Sequence, residues 1–178
     1  MSTPLSRLLI LAAAAALVSG CSSNDNAGNC PAVSTLVETS MGTVFRPGAV
    51  ADPSNVAYTV EISHVHSSCD VDKQVENANT TLEIDFRATR APNGGSAHYE
   101  VPYFVAIAQA DRILAKKIYN VGFDFAPGQG TALFTDSIDS AAVSAARDKK
   151  TYDYNILVGL QLTRAQLNYN RATGRYAP

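Results

Sequence analysis

The chain has 178 residues, of which 46% are hydrophobic and 17% are charged, and its formal net charge is −2 at pH 7. This length predicts about one domain. The charged fraction lies below the roughly 25% of an average soluble protein, which disfavours long charged helices and a disordered chain. A slightly acidic chain gives no electrostatic case for nucleic-acid binding, so no nucleic-acid partner is expected.

The N-terminal segment has the pattern of an export signal. Arg7 is the only charged residue before an uninterrupted apolar run, residues 8–18 (LLILAAAAALV). The run is shorter than the about 20 apolar residues that span a bilayer. Its length suits the hydrophobic region of a secretory signal, about 7–15 residues. We therefore expect residues 1–20 to be a signal peptide that is removed.

The four residues at the end of this segment, Val18-Ser19-Gly20-Cys21, resemble the lipobox of bacterial lipoproteins. In that family the box is an aliphatic residue, a small residue, Gly or Ala, and Cys. The resemblance implies cleavage before Cys21 and a covalent acyl and diacylglycerol anchor on it, with no other cofactor. The alternative is an ordinary signal peptide cleaved nearby, with Cys21 as a spare thiol.

The residue after the lipidated cysteine directs sorting in many lipoproteins of Gram-negative bacteria, where Asp retains the protein at the inner membrane. Ser22 occupies that position, so the resemblance implies an anchor in the outer membrane, on its periplasmic side. Residues 22–29 (SSNDNAGN) are small and polar, which predicts a flexible tether about 15 Å long. Residues 30–178 then form a single domain held close to the membrane.

Removal of the leader takes away Arg7 and no acid, so the formal net charge falls from −2 to −3. With Cys21 acylated, Cys30 and Cys69 remain. Export to an oxidising compartment favours a disulfide between them, and closing a loop of about 40 residues stabilises a fold by roughly 4 kcal/mol in the chain-entropy model. The alternative is a thiol pair for metal or redox chemistry, which the absence of a C-x-x-C motif disfavours.

Alternation of apolar and polar residues predicts about seven strands. It is clearest over residues 81–89, where even-numbered positions are apolar and odd-numbered positions are polar. Turns rich in Gly and Pro join the strands, which indicates a mainly β, antiparallel sandwich. The predicted strands cover residues 33–37 or 43–45, 56–64, 81–89, 99–108, 113–125, 131–138 and 152–162.

Several positions refine this pattern. Pro102 cannot donate to a sheet ladder and predicts an edge strand or a bulge over 99–108. The alternation drifts near Lys116 and Lys117, which predicts a bulge there or at Gly122. Leu157, apolar on the second face of the last strand, predicts a central strand.

Residues 148–154 (DKKTYDY) resemble the entry to the penultimate strand of fibronectin-type and immunoglobulin-type domains. There a Tyr hydroxyl bonds the backbone just upstream, and Tyr152 and Tyr154 are the candidates. The mature part as a whole resembles bacterial envelope lipoproteins with an immunoglobulin/fibronectin-like β-sandwich. We carry over the architecture alone.

Two short helices are predicted. Ser140 is placed to cap a helix over residues 141–150, where two lysines favour the C-terminal end. Thr163-Arg-Ala-Gln166 matches a capping box flanked by Leu162 and Leu167 at the staple positions. This box predicts a helix over about 163–171 that packs back over an open end of the sandwich.

The only histidine pair is His64-Val-His66. Residues two apart in a strand share a face, so the two rings, with Asp70, Asp72 or His98, suit a Zn or Cu ion. The alternative, which we favour, is that they are polar residues at the end of a strand.

Catalytic patterns are absent from the sequence. It has no G-x-S-x-G and no P-loop lysine. The acids Asp70, Asp72 and Glu76 lack the glycine and the spacing of an EF-hand. We therefore do not expect an enzyme.

The sequence predicts a lipid-anchored, periplasm-facing envelope protein that acts as a non-catalytic binding module or as an assembly or structural module, with an envelope protein as its partner. One alternative is a carrier of a small apolar ligand or lipid between the two sheets. A second alternative is a Cu- or Zn-binding envelope protein that uses His64 and His66.

Overall fold

The computed structural model describes residues 28–92 and 94–174. The predicted signal peptide, Cys21 and most of the predicted tether lie outside the described residues. The described part contains eight strands, three 3₁₀ turns and one α-helix. They are β1 (Ala32–Thr35), a 3₁₀ turn (Val37–Thr39), β2 (Met41–Phe45), a 3₁₀ turn (Pro53–Asn55), β3 (Val56–Asp72), β4 (Asn77–Thr89), β5 (Ala97–Gln109), β6 (Arg112–Phe125), β7 (Thr131–Ser144), a 3₁₀ turn (Thr151–Asp153), β8 (Tyr154–Leu160) and α1 (Arg164–Thr173).

The strands form two four-stranded sheets that pack face to face. Sheet A has the order β1-β8-β5-β6, and sheet B has the order β2-β3-β4-β7. All neighbours are antiparallel except β1 and β8, which are parallel. The prediction of a mainly β, antiparallel sandwich with a short C-terminal helix is confirmed, and the arrangement is consistent with an immunoglobulin-like sandwich.

An aromatic layer lies at the centre of the core. The Phe123 ring of sheet A stacks on the Phe134 ring of sheet B with centroids 4.3 Å apart, and Phe86 meets Tyr103 edge-on at 5.3 Å. Tyr103 is fully buried, and its hydroxyl donates a hydrogen bond of 2.7 Å to Asp136 Oδ2. Burial raises the pKa of Tyr103 well above its ordinary value, so this hydroxyl stays protonated and keeps the bond between the sheets.

Two strands are longer than predicted because a β-bulge reverses the alternation. In β3 the extra residue is Ser63, since Ile62 pairs with Phe86 and His64 with Asp85. Apolar positions then change from even to odd numbers, and the pattern read from the sequence stops at His64 although the strand continues to Asp72.

The same effect overturns the predicted helix over 141–150. A bulge in β7 follows Ile138, after which Ala141 and Val143 are buried in the core and the strand continues to Ser144. Residues 141–144 are therefore strand, and the apolar spacing that suggested a helix is the shifted alternation of one strand.

The prediction for Pro102 is wrong, because β5 is an inner strand between β8 and β6 and its register is regular at that residue. The β8 ladder begins one residue later, at Tyr103, and the Pro102 carbonyl accepts from Gln161 N at 2.8 Å. Pro102 is tolerated because it lies where β8 ends. The bulge of β6 is at Leu114, not at Lys116, Lys117 or Gly122.

The last strand, β8, begins at Tyr154 rather than at Tyr152 and lies between β1 and β5, so the predicted central position is confirmed. Of the two candidate tyrosines, Tyr154 has the corner bond, since its buried hydroxyl oxygen accepts from the backbone N–H of Ala146 at 3.0 Å. Tyr152 lies in a 3₁₀ turn and is 53% exposed.

The helix α1 has the predicted capping box, with Thr163 and Gln166 bonded reciprocally, and it ends at Gly174 in the left-handed conformation (φ 62°). Its position differs from the prediction, because it covers the free edge of β2. Gln166 Nε2 donates to the Thr43 carbonyl at 3.0 Å, and Asn170 Nδ2 donates to the Met41 carbonyl at 2.7 Å. One helical turn thus satisfies alternate carbonyls of an edge strand, which protects it from pairing with another chain.

A disulfide joins Cys30 to Cys69, whose Cα atoms are 6.2 Å apart. Cys30 precedes β1 of sheet A, and Cys69 lies on β3 of sheet B, so the predicted bridge connects the two sheets. It holds the start of the domain to the sandwich, and in the chain-entropy model a loop of this length corresponds to roughly 4 kcal/mol.

We predict that Tyr154→Phe destabilises the domain by about 1–2 kcal/mol, because the Ala146 N–H loses its acceptor in a partly buried place. Urea unfolding measures the change. Tyr152→Phe is the matched control and should stay within about 0.5 kcal/mol of the parent, because Tyr152 is at the surface. Equal losses in both variants would contradict a role for the corner bond.

Candidate functional site

The two histidines lie where the sequence predicted, on one face. His64 and His66 both project from the outer face of sheet B, and their rings stack with centroids 6.0 Å apart. His66 Nε2 is 3.5 Å from Asp85 Oδ2 on the neighbouring strand. Asp85 is already engaged, since its Oδ1 accepts from the Thr135 hydroxyl at 2.7 Å.

The structure does not bring the other candidate ligands to this pair. Asp70 and Asp72 lie further along β3, and Asp72 Oδ1 accepts from the backbone N–H of Gln74 at 2.9 Å. His98 belongs to sheet A, where its Nδ1 lies 2.8 Å from Asp124 Oδ1. Residues 28–92 and 94–174 contain no group of three or more His, Cys, Asp or Glu placed to hold a metal ion.

The two ends of the sandwich differ in what they carry. The chain enters the domain at one end, where Thr151 Oγ1 donates to the Asn29 carbonyl beside the Cys30 disulfide. We call this end, formed by residues 29–30, 73–76, 110–111 and 145–153, the entry end. The opposite end, formed by residues 46–55, 90–92, 94–96 and 126–130, we call the distal end.

Arg90 fixes the loops of the distal end. Its guanidinium donates to the carbonyls of Gln129 at 3.0 Å, Gly95 at 2.6 Å and Ala126 at 3.0 Å. It also lies 4.3 Å from the centroid of the Phe125 ring. One side chain thus ties the β4–β5 connection to the β6–β7 turn and gives this end a defined shape.

A pocket of about 240 Å³, which we call the distal pocket, opens between the sheets in the half of the sandwich nearer the distal end. It exists because β8 ends at Leu160 while β2, β3 and β5 continue past that level. Its wall is mostly apolar, with a few polar side chains. The lining residues are Gly42, Val44, Tyr58, Val60, Glu100, Val101, Pro102, Leu160, Gln161, Leu162, Thr163 and Gln166.

Gly42 lies where a side chain would disturb the wall of the pocket. A Cβ atom at this position would lie 2.9 Å from Leu162 Cδ2 and 3.2 Å from Leu160 Cδ1. Both neighbours are the ends of flexible side chains, so an alanine at position 42 would push Leu162 aside rather than break the backbone. A methyl group at position 42 would therefore change the shape of the pocket, because both leucines line it.

One buried polar atom of the pocket has no partner among the described residues, the Gln161 side-chain oxygen. Burial of an unpaired carbonyl oxygen is costly, so this atom is a polar defect in the pocket wall. Glu100 stands exposed at the rim. The mostly apolar wall suits a small apolar group.

Tyr58 forms the inner wall of the pocket and is only 2% exposed. Its ring lies 4.5 Å from that of Tyr99, centroid to centroid. Burial, with a smaller effect of Tyr99, raises the pKa of Tyr58 to about 12. Tyr58 therefore stays neutral well above physiological pH, and its buried ring adds no charge to the inner wall.

The comparisons with known proteins found no matching family model, no matching curated protein and no matching solved structure. Among the described residues, no helix is long and apolar enough to cross a membrane.

The distal pocket was missed in the sequence. Its walls come from the predicted strands, but the alternation of a strand does not tell where a neighbouring strand stops. One feature of the sequence indicated the early end of the last strand, because the capping box at Thr163 begins a helix immediately after Leu162.

We predict that stability falls between about pH 10 and about pH 12 and that Tyr58→Phe reduces this fall by roughly 2–3 kcal/mol. The folded-state pKa of Tyr58 is raised, so its contribution is full below the unfolded-state pKa and is lost as the pH rises through the folded-state pKa. Urea unfolding at several alkaline pH values measures the difference. Tyr152→Phe leaves Tyr58 in place and should follow the parent, and an unchanged pH profile in Tyr58→Phe would contradict the assignment.

Proposed function

We propose that this protein is a lipid-anchored, periplasm-facing envelope protein that acts as a non-catalytic binding module. The observation that carries the proposal is that the two ends of the sandwich have different features. The chain enters beside the Cys30–Cys69 disulfide at one end, and the distal pocket opens in the other half.

Lipidation at Cys21 would set the entry end against the membrane. Eight residues separate Cys21 from Cys30, and the nine Cα–Cα steps between the two cysteines span at most about 30 Å in a fully extended chain. The disulfide makes Cys30 the point where the tether becomes part of the rigid domain. This geometry supports a module whose attachment and binding surface lie at opposite ends.

The fold supports a binding role in preference to a catalytic one. The polar side chains that line the distal pocket are Glu100, Gln161, Thr163 and Gln166. Thr163 and Gln166 are bonded to each other as the helix cap, and Gln166 also holds the edge of β2. These two groups serve the fold, which leaves a mostly apolar cleft whose other polar side chains are Gln161 and, at the rim, Glu100.

We predict that Cys21→Ser abolishes acylation and releases the protein from the membrane fraction. The variant carries no acyl chain, whereas stable attachment needs more than one. Mass spectrometry of the mature N-terminus and fractionation measure the two effects. Ser22→Asp keeps the acylated cysteine and should move the protein to the inner membrane. Retention of the Cys21→Ser protein in the membrane fraction after removal of residues 1–20, as mass spectrometry shows, would overturn the anchor.

We predict that a photo-crosslinker at the rim of the distal pocket captures an envelope protein in intact cells. The variant Glu100→p-benzoylphenylalanine reports on the pocket, and Glu83→p-benzoylphenylalanine, on the outer face of sheet B, is the matched control. Adducts at position 100 that disappear with Gly42→Ala, which displaces Leu162 in the pocket wall, would support the proposal. Equal adducts at both positions, or none at 100, would contradict it.

A second candidate function is the carriage of a small apolar ligand, and the distal pocket favours it. Its volume of about 240 Å³ lies just below the range of about 300–1,000 Å³ of typical ligand sites, so it suits a small molecule better than a lipid with two chains. If this function is correct, native mass spectrometry of the acylated protein shows the added mass of a small ligand, and this mass is absent from the Gly42→Ala variant. The photo-crosslinker at position 100 then captures no protein.

A further inference from the structure

We propose that the entry end of the sandwich rests on the bilayer that holds the lipid and inserts the apolar side chains of three tips into its interface. The tips are the turn with Val75, the β5–β6 hairpin with Ile113 and Leu114, and the 3₁₀ turn with Tyr152. The inference rests on the proposed anchor at Cys21, and it adds a second contact made by the folded domain itself.

The exposed fractions of these side chains are large. They are 58% for Val75, 56% for Ile113, 47% for Leu114 and 53% for Tyr152. Exposed apolar residues that occur singly, such as Val50 at the distal end, need no explanation. These four lie in or directly beside three connections of one end, with Ile113 and Leu114 at the start of β6 next to the 110–111 turn. The sandwich gains no core from them.

Contacts between the connections place all three tips at the entry end. The β3–β4 turn is joined to the loop before β8 by the Lys150–Glu76 ion pair and by the bond from Ala145 N to the Glu76 carbonyl. The start of β8 pairs with the end of β5, since Tyr154 lies opposite Gln109, the residue directly before the hairpin turn.

The tether meets the domain at this same end. The Asn29 carbonyl bonds to Thr151 Oγ1, next to exposed Tyr152. Since at most about 30 Å of chain separates Cys21 from Cys30, the membrane surface is within reach of the three tips whenever the lipid is inserted. A bilayer is therefore the surface that we infer these side chains contact.

The chemistry of the tips suits an interface. Each apolar side chain has an exposed cation within three residues, namely Lys73 near Val75, Arg112 beside Ile113 and Lys149 near Tyr152. Long cationic side chains can keep their charge in the headgroup region while their stems lie on apolar surface, and Tyr suits a boundary that is apolar on one side and wet on the other. Acids are also present at this end, so burial of the apolar side chains drives the contact rather than net charge.

The test uses the fact that the chain contains no Trp. In acylated full-length protein reconstituted into phosphatidylethanolamine–phosphatidylglycerol vesicles, Leu114→Trp provides the only indole at the entry end. Leu133→Trp is the matched control, because Leu133 is 72% exposed on the outer face of sheet B near the distal end. We expect a shift of emission to shorter wavelength and strong quenching by brominated acyl chains at position 114, and neither at 133.

The outcomes separate this inference from the anchor. Protein that stays on the vesicles without quenching at position 114 leaves the anchor standing and overturns the inference. Protein that does not stay on the vesicles overturns both. If Leu114→Trp fails to fold by circular dichroism, Val75→Trp replaces it, and the absence of quenching there overturns the inference in the same way.

Discussion

The contact between the two inner faces determines the rest of this structure, and its centre is aromatic. Phe86, Tyr103, Phe123 and Phe134 form a layer that crosses from one sheet to the other. Tyr103 brings a polar group into that layer and satisfies it on Asp136. A buried hydroxyl with one well-placed acceptor fixes the alignment of β5 against β7 more precisely than apolar contact alone, because an unpaired buried group would be costly. The relative positions of the strand ends, at both ends of the sandwich, depend on this alignment.

The fold was predictable from the sequence where alternation is unbroken and unpredictable where it is interrupted. Residues 81–89 alternate without fault, and this part of β4 was predicted with its faces. The bulge at Ser63 and the bulge after Ile138 each insert one residue, which exchanges the inner and outer faces of the strand. A single sequence shows such an insertion as an end of the strand, or as a helix, because the neighbouring strand that reveals the register lies elsewhere in the chain.

Local signals held up better than those that depend on neighbours. The capping box of Thr163 and Gln166 needs only four residues, and it was predicted in full. The same Gln166 also bonds the free edge of β2, a contact 123 residues away in sequence that no local pattern contains. The distal pocket has the same origin, since it forms where β8 stops and its neighbours continue. The residues that line the distal pocket are thus determined by where strands end rather than by sequence motifs.

The two ends of the domain pose different physical problems, and their residues reflect this. At the distal end Arg90 closes the loops with several hydrogen bonds, so that end has a fixed shape beside an apolar cleft. At the entry end the disulfide and Tyr154 fix the backbone, yet Val75, Leu114 and Tyr152 are left exposed. The exposed apolar side chains of the entry end stand on a backbone that folding has already ordered. Their burial against another surface would therefore not cost the conformational entropy of fixing that backbone. The lipid proposed at Cys21 would bring this end to a bilayer and would turn an otherwise unfavourable exposure into a contact.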